Sequence, residues 1–378
     1  MSHPSILPSR VAWLLGVVAV LWAGSALRPV AAQTPLLTAE DQPVRVGLTP
    51  VAQTIDDAGI QTSELSTQID LDIPIGESVR LTAQGAVARV QSDRGSSFSG
   101  LDDAQVGAMY ARQAGSGSIV ARLDLSLPIG KDELTRGELA TVRSTSRSVY
   151  DFRVPSFGDG LAAVPRVSYA FPLGEAVVAG LGAAYQYLGS YRPVATASRD
   201  YDPGNGWEVF GGVDAQISRA SSVSVDLRYA RFGTAQAGGI DRLEPGNSYA
   251  GTARYRYQMS DATLEVAAQV QQWEESSVRA FLVGPDAPKA ASRQQLVPSR
   301  TLAQASYRRR VGDAVSVRLR LGGRYFEATD VTERKRVGVA GVRGAFRLSP
   351  SWTLAPFAAV TAGDFFGARG GVRTELQF

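Results

Sequence analysis

From about residue 44 to the end of the chain, apolar side chains recur at every second position. In AVSVRLRLGGRYFE (314–327), Val315, Val317, Leu319, Leu321 and Tyr325 alternate with Ser316, Arg318, Arg320, Gly322 and Arg324. A period of two puts the two sets on opposite faces of an extended strand, which a helix turning every 3.6 residues cannot do. The pattern returns in SIVARLDLSLP (118–128), GWEVFGGVDAQI (206–217), SVSVDLRYA (222–230) and ARYRYQM (253–259). Each has one apolar and one polar or charged face.

The connections between these segments alternate in length. Short ones are read at 73–78, 113–118, 171–176, 217–222, 258–263, 310–315 and 348–352. Long ones surround 93–103, 132–160, 190–205, 234–247, 274–299, 328–334 and 362–368, with a shorter one near 56–63. Seven short turns and eight longer loops join about sixteen strands (14–18), the first near Val44–Ile55 and the last at 371–378.

Two architectures use so many alternating strands. A soluble sandwich or barrel hides its apolar face, whereas a membrane barrel turns it outward to lipid and keeps polar side chains in a wet lumen. The systematic short–long asymmetry favours the membrane barrel, with short turns on one rim and long loops on the other. Trp207, Tyr187, Trp352 and Phe357 are read at strand ends, where an interfacial aromatic girdle sits. An even strand number closes such a barrel and leaves no bare edge in lipid. The fold class expected is therefore all-β, a transmembrane antiparallel up-and-down barrel over 44–378.

The first residues fit this. A polar start with Arg10, the uncharged run VAWLLGVVAVLW and the small residues that follow have the layout of a cleaved export signal. Cleavage is expected after Ala32, with Ala26 as second choice, which leaves 33–43 as a short periplasmic segment. Losing 1–32 removes Arg10 and Arg28 and no acid, so the mature chain is near neutral and its charge implies no nucleic-acid partner. The chain has no cysteine, and its one histidine, His3, lies in the signal. That excludes disulfides, histidine-based nucleophilic catalysis and histidine-ligated metals, so no enzyme, cofactor or metal centre is expected.

Three stretches resemble known proteins. GVRTELQF (371–378) is similar to the C-terminal strand of bacterial outer-membrane β-barrels, which ends in an aromatic residue with apolar residues at alternate positions before it. The resemblance implies that Phe378 and Leu376 form the signal read by the barrel-assembly machinery. Residues 99–134, SGLDDAQVGAMYARQAGSGSIVARLDLSLPIGKDEL, resemble the signature hairpin of outer-membrane proteins labelled as transporters or by association with the meta-cleavage pathway of phenol degradation. Ser99, Gly100, Leu101, Asp103, Gly107, Tyr110, Leu127, Pro128 and Gly130 match, and Asp102 stands where that group has glycine. Segment 132–160 falls between the fifth and sixth strands. There the loop of sixteen-stranded general porins folds inward, and VPSFGDG (154–160) resembles its Pro-x-Phe-Gly-Gly-Asp turn; an outer-rim loop is the alternative.

If the apolar alternates face lipid, the others line the lumen. The inward set comprises Arg122, Arg166, Arg228, Arg254, Arg256, Arg308, Arg310, Arg318, Arg320, Arg324, Arg347 and Arg373, with fewer acids: Asp70, Asp72, Asp124, Glu208, Asp214, Asp226, Glu265 and Glu375. Arginine on the lipid face would cost about 2–4 kcal/mol at mid-depth. Bracing of the wall by Arg–carboxylate pairs is one role for them. Their excess over acids also predicts a mild anion preference, since rings of fixed charge set selectivity in pores. The expected function is an outer-membrane channel in a Gram-negative-type envelope, passing small solutes by diffusion. The alternatives are FadL-like uptake of hydrophobic or aromatic compounds and a non-transport barrel acting through its loops. About a dozen residues between Ala32 and the first strand are too few for the hatch of FadL-type barrels.

Overall fold

The computed structural model describes residues 43–131, 134–146, 149–154, 158, 160–192, 200–279 and 291–378. The expected signal segment 1–32 and the expected boundary at 33–43, apart from residue 43, lie outside them. The strands of the wall are β1 (Arg45–Asp57), β2 (Ile60–Ile75), β3 (Val79–Ser92), β5 (Ala104–Ala114), β6 (Gly117–Leu127), β7 (Ala162–Pro172), β8 (Val177–Leu188) and β10 (Gly206–Ser218). They continue with β11 (Ser221–Phe232), β14 (Ser248–Gln258), β15 (Ala262–Trp273), β18 (Arg300–Val311), β19 (Val315–Phe326), β20 (Lys335–Ser349), β21 (Trp352–Gly363) and β22 (Phe366–Gln377). Each pairs antiparallel with the next, and β22 pairs back onto β1, from Arg45 opposite Gln377 to Asp56 opposite Phe366. Sixteen strands thus close a barrel, and no wall strand keeps an unpaired edge in lipid.

All seven short connections fall on one rim, between β2 and β3, β5 and β6, β7 and β8, β10 and β11, β14 and β15, β18 and β19, and β20 and β21. On the other rim two connections are tighter than the sequence suggests. β1 and β2 meet through Ala58–Gly59, whose φ values of 54° and 77° are those of a primed hairpin turn. Asp56 Oδ1 accepts the Gly59 N–H at 3.0 Å. The loop expected over 362–368 is the two residues Asp364 and Phe365, because β21 and β22 extend into it.

Alternation follows lipid. Leu65, Ile69, Leu181, Leu227, Leu319 and Leu321 keep between 51% and 64% of their surface exposed, and each alternates with polar or small inward residues. Burial in lipid rather than in a protein core is what this apolar face requires. Near the long-loop rim Trp207, Tyr229 and Tyr249 stand on adjacent strands, with ring centroids 5.3 and 5.1 Å apart. Near the short-turn rim Tyr257, Tyr307, Phe346 and Trp352 are exposed. These are two interfacial bands. Phe357 belongs to neither: it lies mid-strand in β21, opposite Arg343 and Gly371, on the inward parity. A Cβ on Gly371 would come within 2.8 Å of the Phe357 ring, so the glycine makes room for it.

Beyond the long-loop rim, β9 (Tyr201–Asp202), β12 (Ala235–Ala237), β13 (Ile240–Glu244), β16 (Ser276–Arg279) and β17 (Ala291–Gln294) build a five-stranded sheet from three loops. It packs on Tyr201, Ala235, Leu243, Val278 and Leu296. The short strand β4 (Phe98–Leu101) pairs with the outer half of β3.

Candidate functional site

The segment after β6 turns into the barrel. Its helix α1 (Arg136–Thr145) starts at a capping box: Thr135 accepts the Glu138 N–H, and the Glu138 carboxylate accepts the Thr135 N–H. Two orphan donors of the first turn are thereby satisfied. Lys131 Nζ reaches Glu138 Oε1 at 2.6 Å. Leu134, Leu139 and Val142 bury against inward residues of β3, Ala86, Ala88 and Val90, and against Phe98. Each large side chain so buried contributes roughly 1.5–3 kcal/mol.

Past the helix, Val149, Tyr150 and Phe152 pack on Ile55, Phe326, Val337 and Phe365. Polar bonds fix the register. Gln53 Nε2 donates to the Tyr150 and Asp151 carbonyls, each at 3.2 Å. The Tyr150 hydroxyl donates to Asp57, which also holds Lys335 Nζ at 2.7 Å. Buried Glu64 accepts the Val154 N–H at 3.1 Å. The segment therefore lies against β1–β3 and β19–β22, inside the barrel and not on its rim. Of VPSFGDG, Pro155, Ser156, Phe157 and Asp159 lie outside the described residues.

Asp151 has φ 57°, a left-handed conformation that a non-glycine residue keeps only where surroundings hold it. Here the Gln53 bond behind it and Arg324 in front do so. Asp151 Oδ2 is 2.8 Å from Arg324 Nη2 and 3.8 Å from Arg369 Nη1. Burial within the barrel pushes its carboxyl upward, but Arg324, Arg369 and Arg320 outweigh that and hold it below its ordinary value. Half of the side chain still opens onto the lumen.

The loop leaves the other side of the barrel free. A cavity of about 830 Å³ runs between Asp151 and the inward face of the wall from β6 to β19. Seven arginines and four carboxylates line it. Of the residues expected in the lumen, Arg228, Arg254, Arg256, Arg320 and Arg324 border this cavity. Arg122, Asp124, Arg308, Arg318 and Arg373 share the inward parity but stand beside or below it. Leu376 and Phe378 lie on the outward parity, 39% and 76% exposed. The backbone of Phe378 exchanges hydrogen bonds with Val44 at 3.0 and 3.1 Å.

On the β6–β15 arc and at the seam most arginines have carboxylates. Arg122 meets Asp124 at 2.7 Å, Arg256 meets Glu265 at 3.2 Å, Arg228 meets Glu208 at 3.5 Å and Arg254 meets Asp226 at 3.9 Å. Arg373 bridges Asp70 at 2.8 Å and Glu375 at 3.1 Å. Arg166, nine-tenths buried, lies over the Phe210 ring at 5.4 Å. That ring covers Gly182, where a Cβ would clash at 2.4 Å.

Sequence reasoning left out Arg300, Arg343, Arg369 and Asp151. Arg300 shares the parity of Arg308 and was readable from it. Arg343 sits in VGVAGVRGAF, where glycines on both faces erase the alternation. Asp151 lies in a loop with no periodicity to place it.

The residues matched at 99–134 run from β4 through the hairpin β5–β6, which carries Gly107, Tyr110 and Leu127. Asp103 Oδ1 accepts the Gly130 N–H at 2.9 Å, and a Cβ on Gly130 would meet that same oxygen at 2.7 Å. Gly107 faces inward beneath Thr82 and Asp124, with no room for a side chain.

A closed sixteen-stranded barrel with an apolar outer belt, aromatic bands and a charged interior is an outer-membrane β-barrel, with its belt in contact with lipid. No family model and no curated protein matches the sequence. Among solved structures the chain is similar to Pseudomonas aeruginosa OccK5 (OpdH), at 13% identity over 90% of this chain and 99% of that one, with a TM-score of 0.47. It is also similar to Pseudomonas aeruginosa OpdO, at 11% identity over 90% and 97%, with a TM-score of 0.46. An anion-selective porin from Comamonas acidovorans is similar at 13% identity over 89% and 100%, with a TM-score of 0.41. At these identities and scores the likenesses carry no argument; the barrel stands on its own strand pairings.

Proposed function

We propose that this chain is an outer-membrane channel that passes small polar solutes by diffusion, with a preference for anions. The observation that carries the reading is the cavity left open beside the inward loop, with arginines in excess over carboxylates along it. Fixed charges on the wall of a narrow water-filled pore act on a permeating ion over a few ångströms and set its sign preference. The channel needs no cofactor and performs no catalysis.

Planar-bilayer recording of the refolded protein tests this. Conductance steps and a reversal potential on the anion side of zero in a potassium chloride gradient are expected. Absence of steps overturns the channel, and cation preference overturns the role given to the arginines.

Leu376 and Phe378 are the residues proposed to be read by the barrel-assembly machinery. Their outward side chains on a strand that also pairs with β1 support that assignment. Leu376→Ser with Phe378→Ser should slow assembly in cells while leaving refolding in detergent intact. The resemblance of 99–134 supports membership of the phenol-pathway-associated transporter group; the name of the solute does not follow from it.

A further inference from the structure

Arg122 on β6 stands directly opposite Arg166 on β7, but Asp124 and Glu208 lie in their fields. Another part of the inner wall sets arginines opposite one another with no carboxylate among the described residues paired to them. Arg308 on β18 stands directly opposite Arg318 on β19, and Arg318 directly opposite Arg343 on β20. Directly opposed side chains on neighbouring strands have Cβ atoms about 5 Å apart, and like charges there repel. All three are exposed on the lumen side. Among the described residues none of the three forms an ion pair or a side-chain hydrogen bond. Glu375, a carboxylate whose charge reaches Arg343, is already held by Arg373 at 3.1 Å. Arg320, one step along the same face of β19, bonds the neutral Gln304.

Three planar guanidinium groups in one cross-strand row present parallel N–H donors that match the oxygens of a tetrahedral dianion. We propose that the Arg308–Arg318–Arg343 row is a saturable binding site for a phosphoryl dianion, whether free phosphate or the phosphate group of a small solute. The proposal rests on the channel reading above and sharpens it from a diffuse preference to a solute class. Such an ion replaces the carboxylates that the rest of the wall supplies, and relieves the repulsion along the row.

The test uses the full chain in planar bilayers at pH 8 and constant ionic strength, with inorganic phosphate replacing part of the chloride. Phosphate should reduce the chloride current saturably. Arg318→Lys keeps the charge but loses the fork of donors; it should keep the anion-side reversal potential and raise the half-blocking phosphate concentration tenfold or more. Arg343→Gln should raise it at least as far. Arg309→Gln, on the outward face where Arg309 pairs with Asp261 at 3.0 Å, should leave it unchanged. The heat-dependent gel shift of the folded barrel verifies that each variant is assembled. Unsaturable reduction, or equal block in Arg318→Lys and the parent, overturns the site while an anion-side reversal potential leaves the channel reading standing. Phosphate monoesters of small alcohols blocking in the same range show that the row accepts a solute-borne group, whereas block by free phosphate alone restricts the site to the free ion.

Discussion

Two arcs of the same wall use arginine in opposite ways. From β6 to β15 most guanidinium groups are answered by a carboxylate, such as Arg122 by Asp124 or Arg256 by Glu265. There Arg122 faces Arg166 with Asp124 and Glu208 beside them. From β18 to β20, by contrast, Arg308, Arg318 and Arg343 face one another with no carboxylate among the described residues paired to any of them. The first arrangement is neutral and braces the barrel. The second stores repulsion and leaves charge available to whatever passes. The difference separates a neutralised setting of the residue from one that stays charged, without any change of residue type.

The comparison breaks most readily on the paired arc. Glu208 is nine-tenths buried and shares the fields of Arg228 and Arg166. Replacing it by Gln removes the carboxylate shared by buried Arg166 and half-buried Arg228 and should cost about 1–3 kcal/mol, read as a lower denaturant midpoint in detergent or vesicles. An unchanged midpoint would mean that the pairs do not brace the wall. On the second arc, Arg318, Arg320 and Arg324 replaced together by Ala should lower the anion-to-cation permeability ratio by roughly threefold or more, as removing a patch of fixed charge in a pore does; Arg324→Ala also removes the partner of Asp151. No shift would make these arginines structural after all.

Asp151 is the carboxylate that the loop lends to the second arc. Asp151→Asn should make the pore more anion-preferring and weaken the docking of the loop. Acid should do the same. The folded-state carboxyl lies below its ordinary 3.8, so the tether's contribution is present above that value and is lost as pH falls through the depressed one. More frequent channel closures at pH values below 3.8 in the parent, and pH-independent closures in Asp151→Asn, are expected. The smallest effect is on stability: Arg318→Gln removes one repulsive neighbour and should leave the midpoint within about 0.5 kcal/mol of the parent, on the stabilising side.

The strands and all seven short turns were legible because lipid enforces the apolar alternation on one face through the middle of each strand, while charges such as Arg89 and Arg309 stand toward its ends. The lumen face is less legible where the loop covers it. Val51, Ile55, Ala86, Ala88, Val90 and Val337 point inward yet are apolar, since their neighbour is packed protein and not water. Phe357 was placed at a strand end because an aromatic residue in a barrel suggests an interface, but a glycine across the strands gives it a place inside. The sequence resembled a porin in segment 132–160 yet left two places open for it. Its inward course depends on partners far away in the chain, such as Gln53, Glu64 and Arg324, that no local pattern connects to it. The five-stranded sheet beyond the rim escaped notice for a related reason: its strands are two to five residues long, too short to show a period.

The loop that contributes Asp151 also has a mechanical meaning. Tyr150 and Phe152 pack at once on Ile55 of the first strand, on Phe365 in the turn before the last, and on Phe326 and Val337. Gln53 and Arg369 reach the same short segment from the two sides of the junction. The circle of strands is thus joined twice, by backbone pairing between β1 and β22 and by a side-chain rivet set behind it. Parting those two strands requires withdrawing the rivet first. Under the channel reading, a docked loop holds this junction against a sideways exit into the bilayer and leaves the axis as the route for solute.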